Sequence, residues 1–452
     1  MNIFLKNEII NFIDNYETEL NDKRQRGSVF TKSKLIIKMI NKLPSNVWKN
    51  PKLKWLDSGS GIGSFFIIVF FKLMENIPIK NEEERRKHIL ENMLYFVELD
   101  LKYIELLKTI FCSDKYKLNI FHGSYVNLNT LDSNVKIFNN EIFNIKFNII
   151  LGNPPYQKIN MKDTTKLSAK PLYPFFVEKS LEHLQEDGYL LYIHPISWRR
   201  KSKEIKIIKE ILNKRLIYIY TNNKFPDFGI SAPFINYYLL QNKEYDKNHL
   251  TNYETIFNDK IFIGKIHLEK DLEFIPSFLT KETIKIFDKI INKSGEKFDV
   301  QQEAKLSTTK KNISTLKDNN FIHLNYHGFS IKNGNIYRYS CIKHPSSNKS
   351  KIIFTFKGGY KYLNPFFDEG IMGITDACMR LIINDKNKEL LLNFFNSDLL
   401  KFLLMSTTYN YGSNQKNEFH IINMFTIPEI YNFYKFYNLK PNEIKFINEN
   451  LK

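Results

Sequence analysis

Ile150-Leu151-Gly152-Asn153-Pro154-Pro155-Tyr156-Gln157 is an apolar run that stops in a polar turn stiffened by two consecutive prolines. The strand it closes, Phe147-Asn148-Ile149-Ile150-Leu151, is short and apolar, as expected of a strand buried in a parallel sheet. Proline fixes its own φ and pushes the residue before it toward extended backbone, so Asn153 is held out at the strand's carboxyl end. In an open α/β sheet, ligands bind at that end.

The turn suits one kind of chemistry. An amino group conjugated to an aromatic ring is a poor nucleophile, because its lone pair is delocalised. If the Asn153 side-chain oxygen and the Pro154 carbonyl accept its two hydrogens, the nitrogen moves toward a tetrahedral, reactive form without a strong base. Tyr156 offers a flat face for the ring. Taken alone, Asn-Pro-Pro is equally an ordinary loop.

Upstream, the strand Leu53-Lys54-Trp55-Leu56 runs into Asp57-Ser58-Gly59-Ser60-Gly61-Ile62-Gly63 and then an apolar helix from Ser64 to about Met74. Glycines in a strand-to-helix turn let backbone approach a ligand closely. The spacing departs from the dinucleotide fingerprint, and an acid stands at the strand tip, suited to the ammonium group of S-adenosylmethionine. A second strand, Met93 to Val97, ends at Glu98-Leu99-Asp100. Glu98 is placed to hold a ribose diol, whereas Asp100 fits a helix N-terminal acid. A third strand, Leu118 to His122, leads to Gly123-Ser124-Tyr125.

Downstream, residues 171–181 read as a helix carrying Leu172, Tyr173 and Phe176. Gly188 to Pro195 reads as a strand opening into Trp198-Arg199-Arg200-Lys201, where phosphate contacts and a solvated charge run are both open. Strand and helix alternate from 53 to 240, which predicts one doubly wound, Rossmann-like α/β sheet. Residues 242–252 are polar and read as a linker. The expected division is a catalytic domain over 1–245, with N-terminal helices in 1–50, and a second α+β domain over 246–452.

Sixty-six Lys and Arg against 48 acidic residues give +18, which favours a polyanionic partner, nucleic acid first. The surplus is mostly Lys alongside heavy Asn, Ile and Phe usage, which A/T-rich coding would also produce. Cys112, Cys341 and Cys378 are scattered, giving neither a metal spacing nor a disulfide framework, as in a reducing compartment. The acidic N-terminus is unlike a secretory signal, and no apolar run approaches the roughly 20 residues of a membrane span. A cytoplasmic protein, away from the membrane, is expected.

Taken in order, these stretches resemble the gamma-class N6-adenine DNA methyltransferases, clearly over about 26–240 and weakly beyond. Asp57-Ser58-Gly59-Ser60-Gly61-Ile62-Gly63 and Asn153-Pro154-Pro155-Tyr156 carry the likeness. The resemblance implies S-adenosyl-L-methionine as cofactor, no metal, and double-stranded DNA as partner, with the second domain recognising the target. It implies cofactor contacts from Phe30, Thr31, Asp57, Gly59, Gly61, Glu98, Ser124 and Tyr125. Lys32 stands where the family has proline, and Ser124 where it has aspartate. It further implies that Asn153, Pro154, Pro155 and Tyr156 act on a flipped adenine. Phe225 would pack on the base's other face, and Leu172, Tyr173 and Phe176 would line the pocket. Arg199, Arg200 and Lys201 would touch the DNA backbone. A monomer on DNA and a separately encoded restriction endonuclease complete the expectation, the stretch before Phe30 being short for a fused nuclease. Methylation of RNA or of protein glutamine, and a non-catalytic DNA-binding homologue, stay open on sequence.

Overall fold

The computed structural model describes residues 6–16, 30–126, 136–138, 145–156, 171–200, 207–222, 235–302, 306–307, 311–330, 332–355, 363–383, 387–407 and 420–451. Phe225, Lys201, Gln157 and the 409–416 segment lie outside them. The chain divides into two units, one of residues 1–254 and 263–275, the other of 255–262 and 276–452.

The first unit holds most of a nine-stranded sheet of order β3-β2-β1-β4-β5-β7-β6-β8-β9, residues 255–262 of which belong to the second. Its strands are β1 (Trp55–Asp57), β2 (Leu94–Glu98), β3 (Asn119–His122), β4 (Phe147–Gly152), β5 (Leu184–Pro195), β6 (Lys214–Asn222), β7 (Ile235–Glu244), β8 (Thr251–Phe257) and β9 (Lys260–Ile266). The five from β3 to β5 are parallel, and β7 runs antiparallel between β5 and β6. Chain order reverses between β1 and β4. Right-handed crossovers therefore put the helices that follow these two strands on opposite faces, and open a crevice at the strands' carboxyl ends.

The helix after β1, Ser64–Asn76, reads Phe-Phe-Ile-Ile-Val-Phe-Phe near its start and is buried almost all round. Its partner beyond β2, Leu101–Ile110, is capped by Asp100, whose carboxylate accepts the Lys102 N–H at 2.9 Å. An N-cap of this kind contributes about 1 kcal/mol. Gly63, at φ +82°, lets the two helices close: a Cβ there would meet Leu107 at 2.8 Å and Phe111 at 3.0 Å. The expected linker at 242–252 is instead the end of β7, a turn and the start of β8, so the sheet continues past residue 245.

The second unit carries two four-stranded sheets, β10-β17-β14-β15 and β11-β13-β12-β16, in which β10 is Val300–Gln301, β11 Ile313–Ser314, β12 His323–Ser330, β13 Gly334–Ser340 and β16 Gly373–Ile374. Of these, β14 is Lys351–Thr355, β15 Phe366–Asp368 and β17 Cys378–Ile382. Helices Lys281–Ile291, Lys388–Phe395, Asp398–Thr407 and Pro441–Asn450 complete it, so it is α+β. Among the described residues, no helix is long and apolar enough to cross a membrane.

Candidate active site

Parallel pairing sets Asp57 opposite Leu151, so the tip of β1 lies beside the Asn153 turn that ends β4. The chain passes close enough that only glycine serves: Gly152 has φ +144°, and a Cβ on it would sit 2.9 Å from the Asp57 carboxylate.

Asp57 is 1% exposed. Burial pushes its carboxyl up to about 7; the Gly59 N–H, donating at 3.3 Å, opposes the shift, and the Glu98 charge adds to it. Among the described residues no cationic side chain forms an ion pair with Asp57. A buried acid of this kind is suited to an incoming ammonium group.

The turn after Asp57 is held from β2. Glu98 accepts the Gly61 N–H at 2.7 Å on one oxygen, and the Leu99 and Asp100 N–H groups, both at 2.8 Å, on the other. Phe30 covers the turn from the N-terminal side: a Cβ on Gly61 would meet its ring at 2.8 Å. A Cβ on Gly59 would lie 3.7 Å from Pro155 and 3.9 Å from Phe176. Acid, glycine cradle and aromatic cover thus fit the methionine end of S-adenosylmethionine.

The Phe30-Thr31 segment also reaches the Asn153 turn. The Asn153 Nδ2 donates to Thr31 Oγ1 at 3.1 Å. Lys32, in the proline position of the resemblance, has φ −67°, the value a proline ring would impose, so the backbone course is kept. Tyr156 is buried, and burial drives its hydroxyl above the ordinary tyrosine range. The Tyr156 carbonyl accepts the Leu172 N–H at 2.9 Å, fastening the turn to the following helix, Tyr173–His183.

Other expected residues are placed differently. Ser124 is buried, and its hydroxyl donates to the Val126 carbonyl at 2.7 Å. Tyr125 is turned into the core, its ring against Phe138, Phe176 and His183. Tyr173 stacks on His194 at 4.4 Å and hydrogen-bonds Ser197 at 2.7 Å, at the carboxyl end of β5, while Phe176 lies beside Gly59. Arg199, expected at the DNA backbone, is a correction in one respect: its side chain is fully buried in this structure, and its carbonyl accepts the Ile275 N–H. Arg200 is half-buried.

Sequence reading missed a buried polar chain beneath the site. Ser58 Oγ lies 2.5 Å from the Tyr192 hydroxyl, which lies 2.7 Å from Ser180 Oγ; the Tyr125 hydroxyl sits 3.3 Å from Ser180 and 3.1 Å from His183 Nδ1. Burial lowers His183 to about 4, so it is a neutral member of this chain. Four elements contribute one or two residues each, a pattern without a local signature.

Residues 83–257 match the Eco57I restriction-modification methylase family. This segment is a restriction-modification methylase domain. The match takes in Glu98 and the Asn153 turn; Thr31 and Asp57 precede it. A protein described as an uncharacterized adenine-specific methylase, from Mycoplasma pneumoniae (strain ATCC 29342 / M129), is 26% identical over 313 residues, covering 52% of this chain and 70% of that relative. In fold, the methylase resembles the type IIL restriction-modification enzyme MmeI, solved in complex with DNA, with a TM-score of 0.54 at 12% identity over 96% of this chain and 76% of that one. It also resembles a nuclease-deletion mutant of the type ISP enzyme LlaGI, with a TM-score of 0.55 at 12% identity over 92% of this chain and 56% of that one. The likeness to restriction-modification methylases is thus carried by residues 83–257, on a doubly wound sheet.

Proposed function

We propose that this methylase transfers a methyl group from S-adenosylmethionine to N6 of an adenine flipped out of double-stranded DNA at a specific sequence. The observation that carries the reading is the adjacency of Asp57 and the Asn153 turn at the point where strand order reverses.

The cofactor supplies an electrophilic methyl group. Asp57 takes its ammonium end, Phe30 and the Gly59–Gly61 turn enclose it, and Glu98, which already holds the turn, takes the ribose. Asn153 Oδ1 and the Pro154 carbonyl accept the two amino hydrogens of the adenine, which restores nucleophilicity to the nitrogen. A base within a duplex cannot present that nitrogen in line with the donor, so it must leave the stack, at a cost of a few kcal/mol. Tyr156 and Phe225 are the proposed aromatic faces that offset this cost. The charge of +18 supports DNA as the partner, as do DNA-bound relatives of the same fold. The proposed working form is a cytoplasmic monomer on DNA beside a separately encoded restriction endonuclease, with the second unit reading the sequence.

Single-molecule sequencing of DNA from a methylation-deficient host expressing the protein is the test. N6-methyladenine confined to one short motif, and absent with Asn153→Ala, is expected; calorimetry should show Asn153→Ala still binding S-adenosylmethionine. Unmodified DNA from soluble, cofactor-binding protein would instead point to an RNA or protein substrate.

A further inference from the structure

We infer that Thr31 is a positioning residue that sets the orientation of the Asn153 carboxamide, and that Asp14 on the N-terminal helix fixes Thr31 for this task. The inference rests on the reading above and deepens it.

A carboxamide has a donor end and an acceptor end, and only the acceptor end can take an adenine amino hydrogen. A free asparagine samples both orientations, since its terminal torsion is broad and roughly two-fold. Thr31 breaks that symmetry. Its Oγ1 accepts from Asn153 Nδ2 at 3.1 Å, so the oxygen is turned to the opposite side. Thr31 is 2% exposed, which keeps water from substituting for the hydroxyl.

Thr31 is itself fixed from a separate element. Asp14, on the helix Lys6–Asn15, accepts the Ser33 N–H at 2.7 Å and the Ser33 hydroxyl at 2.6 Å. This carboxylate caps the helix Ser33–Ile40, whose own preceding residue, Lys32, supplies no side-chain cap. Tyr16, just after the first helix, meets Phe30 edge-to-face at 5.2 Å. The segment Phe30-Thr31-Lys32-Ser33 is therefore gripped at both ends, with the hydroxyl between. Farther along, Lys38 and Lys42 pair with Glu254 at 2.5 and 3.7 Å, holding the end of that helix.

Thr31→Val removes the hydroxyl at nearly constant shape. The expected result is a fall in kcat of roughly ten- to hundredfold, the scale on which small misplacements act. Dissociation constants for S-adenosylmethionine, and the fluorescence rise of 2-aminopurine at the target position, should stay within about twofold of wild type. Thr31→Ser should recover most of the rate. In protein selectively labelled with 15N-asparagine, the Asn153 side-chain resonance, assigned by its loss in Asn153→Ala, should move in Thr31→Val and in Asp14→Ala.

A Thr31→Val enzyme with normal kcat and weakened cofactor binding would overturn the inference and make Thr31 a cofactor ligand. Equal loss in the Val and Ser variants, or an unmoved Asn153 resonance, would overturn it as well. The resonance is read without turnover. A moved signal in a protein that methylates no adenine would retain the Thr31 assignment and remove the proposed substrate.

Discussion

Asp57 and Asp368 are both almost fully buried carboxylates, and their surroundings are opposite. Asp368, at the end of β15, pairs with Lys351 of β14 at 2.5 Å, and accepts the Gly370 and Ile371 N–H groups, each at 3.2 Å. Lys351 also donates to the Ser346 carbonyl at 2.9 Å and the Lys349 carbonyl at 3.1 Å. Burial lowers the Lys351 pKa, and Asp368 opposes that shift. The Lys351–Asp368 pair is answered from within the second unit, with the Arg380 charge adding to the lowering of the Lys351 pKa. Asp57 has one long backbone donor and the like charge of Glu98 nearby. A buried pair satisfied from inside serves structure, whereas a buried acid without a cation among the described residues is suited to binding one.

The largest effect expected from this contrast is at Asp368. Asp368→Ala would leave Lys351 buried without its partner, at a cost of about 3–5 kcal/mol. The urea midpoint followed by circular dichroism reads it directly. A loss under about 1 kcal/mol would mean that the pair is wet and the contrast with Asp57 overstated. Replacing both residues together with apolar ones of similar size should recover much of the loss, since no lone charge then remains.

Next in size is the effect of Asp57→Asn on cofactor binding. Losing a charge-assisted contact in a dry site should weaken S-adenosylmethionine binding roughly hundredfold, about 2.7 kcal/mol. Calorimetric titration at pH 8 checks this, and an unchanged affinity would return Asp57 to a purely structural role.

Glu98 lies between the two extremes, because its oxygens already hold three backbone N–H groups. Glu98→Gln would turn an amide donor toward one of those donors. Cofactor affinity is expected to fall about tenfold, near the value of one hydrogen bond to a charged group. A sugar-free amine-sulfonium fragment should lose affinity too if Glu98 acts by shaping the turn. It should be unaffected if Glu98 acts on the ribose alone.

The two carboxylates also show what a sequence reveals. Asp57 was legible because it heads a glycine turn between an apolar strand and an apolar helix, all within a dozen residues. The alternation of strands and helices likewise predicts the parallel half of the sheet, and Asp100 is the helix cap that its position suggested. Lys351 and Asp368 carry no such mark, since their pairing depends on the β14–β15 register. The contact between Thr31 and Asn153 spans 122 residues, and nothing near either one announces it. The polar stretch at 242–252 misled because β7 ends in exposed Lys and Glu, a composition that a sheet's solvent-facing strand end shares with a linker. Arg199 misled for the converse reason: a basic run looks solvated until the fold buries one of its members.

The smallest and most selective effect is the pH dependence of the ligand-free protein. Asp57 has a folded-state pKa raised from 3.8 to about 7, so the folded state binds more protons than the unfolded chain between those values. The stabilisation from its protonated form is thus fully present below about pH 4 and is lost as pH rises through 7. Asp57→Asn has no such loss. Ligand-free wild type should therefore melt below Asp57→Asn at pH 8, with the gap closing toward pH 4. All three tryptophans, Trp48, Trp55 and Trp198, belong to the unit that holds Asp57, so their fluorescence reads the relevant transition. Saturating S-adenosylmethionine at pH 8 should reverse the order, because its ammonium supplies the missing cation to the wild type and finds no carboxylate in the variant. A gap that was independent of pH, or that survived the cofactor unchanged, would show that Asp57 is answered from inside the protein as Asp368 is.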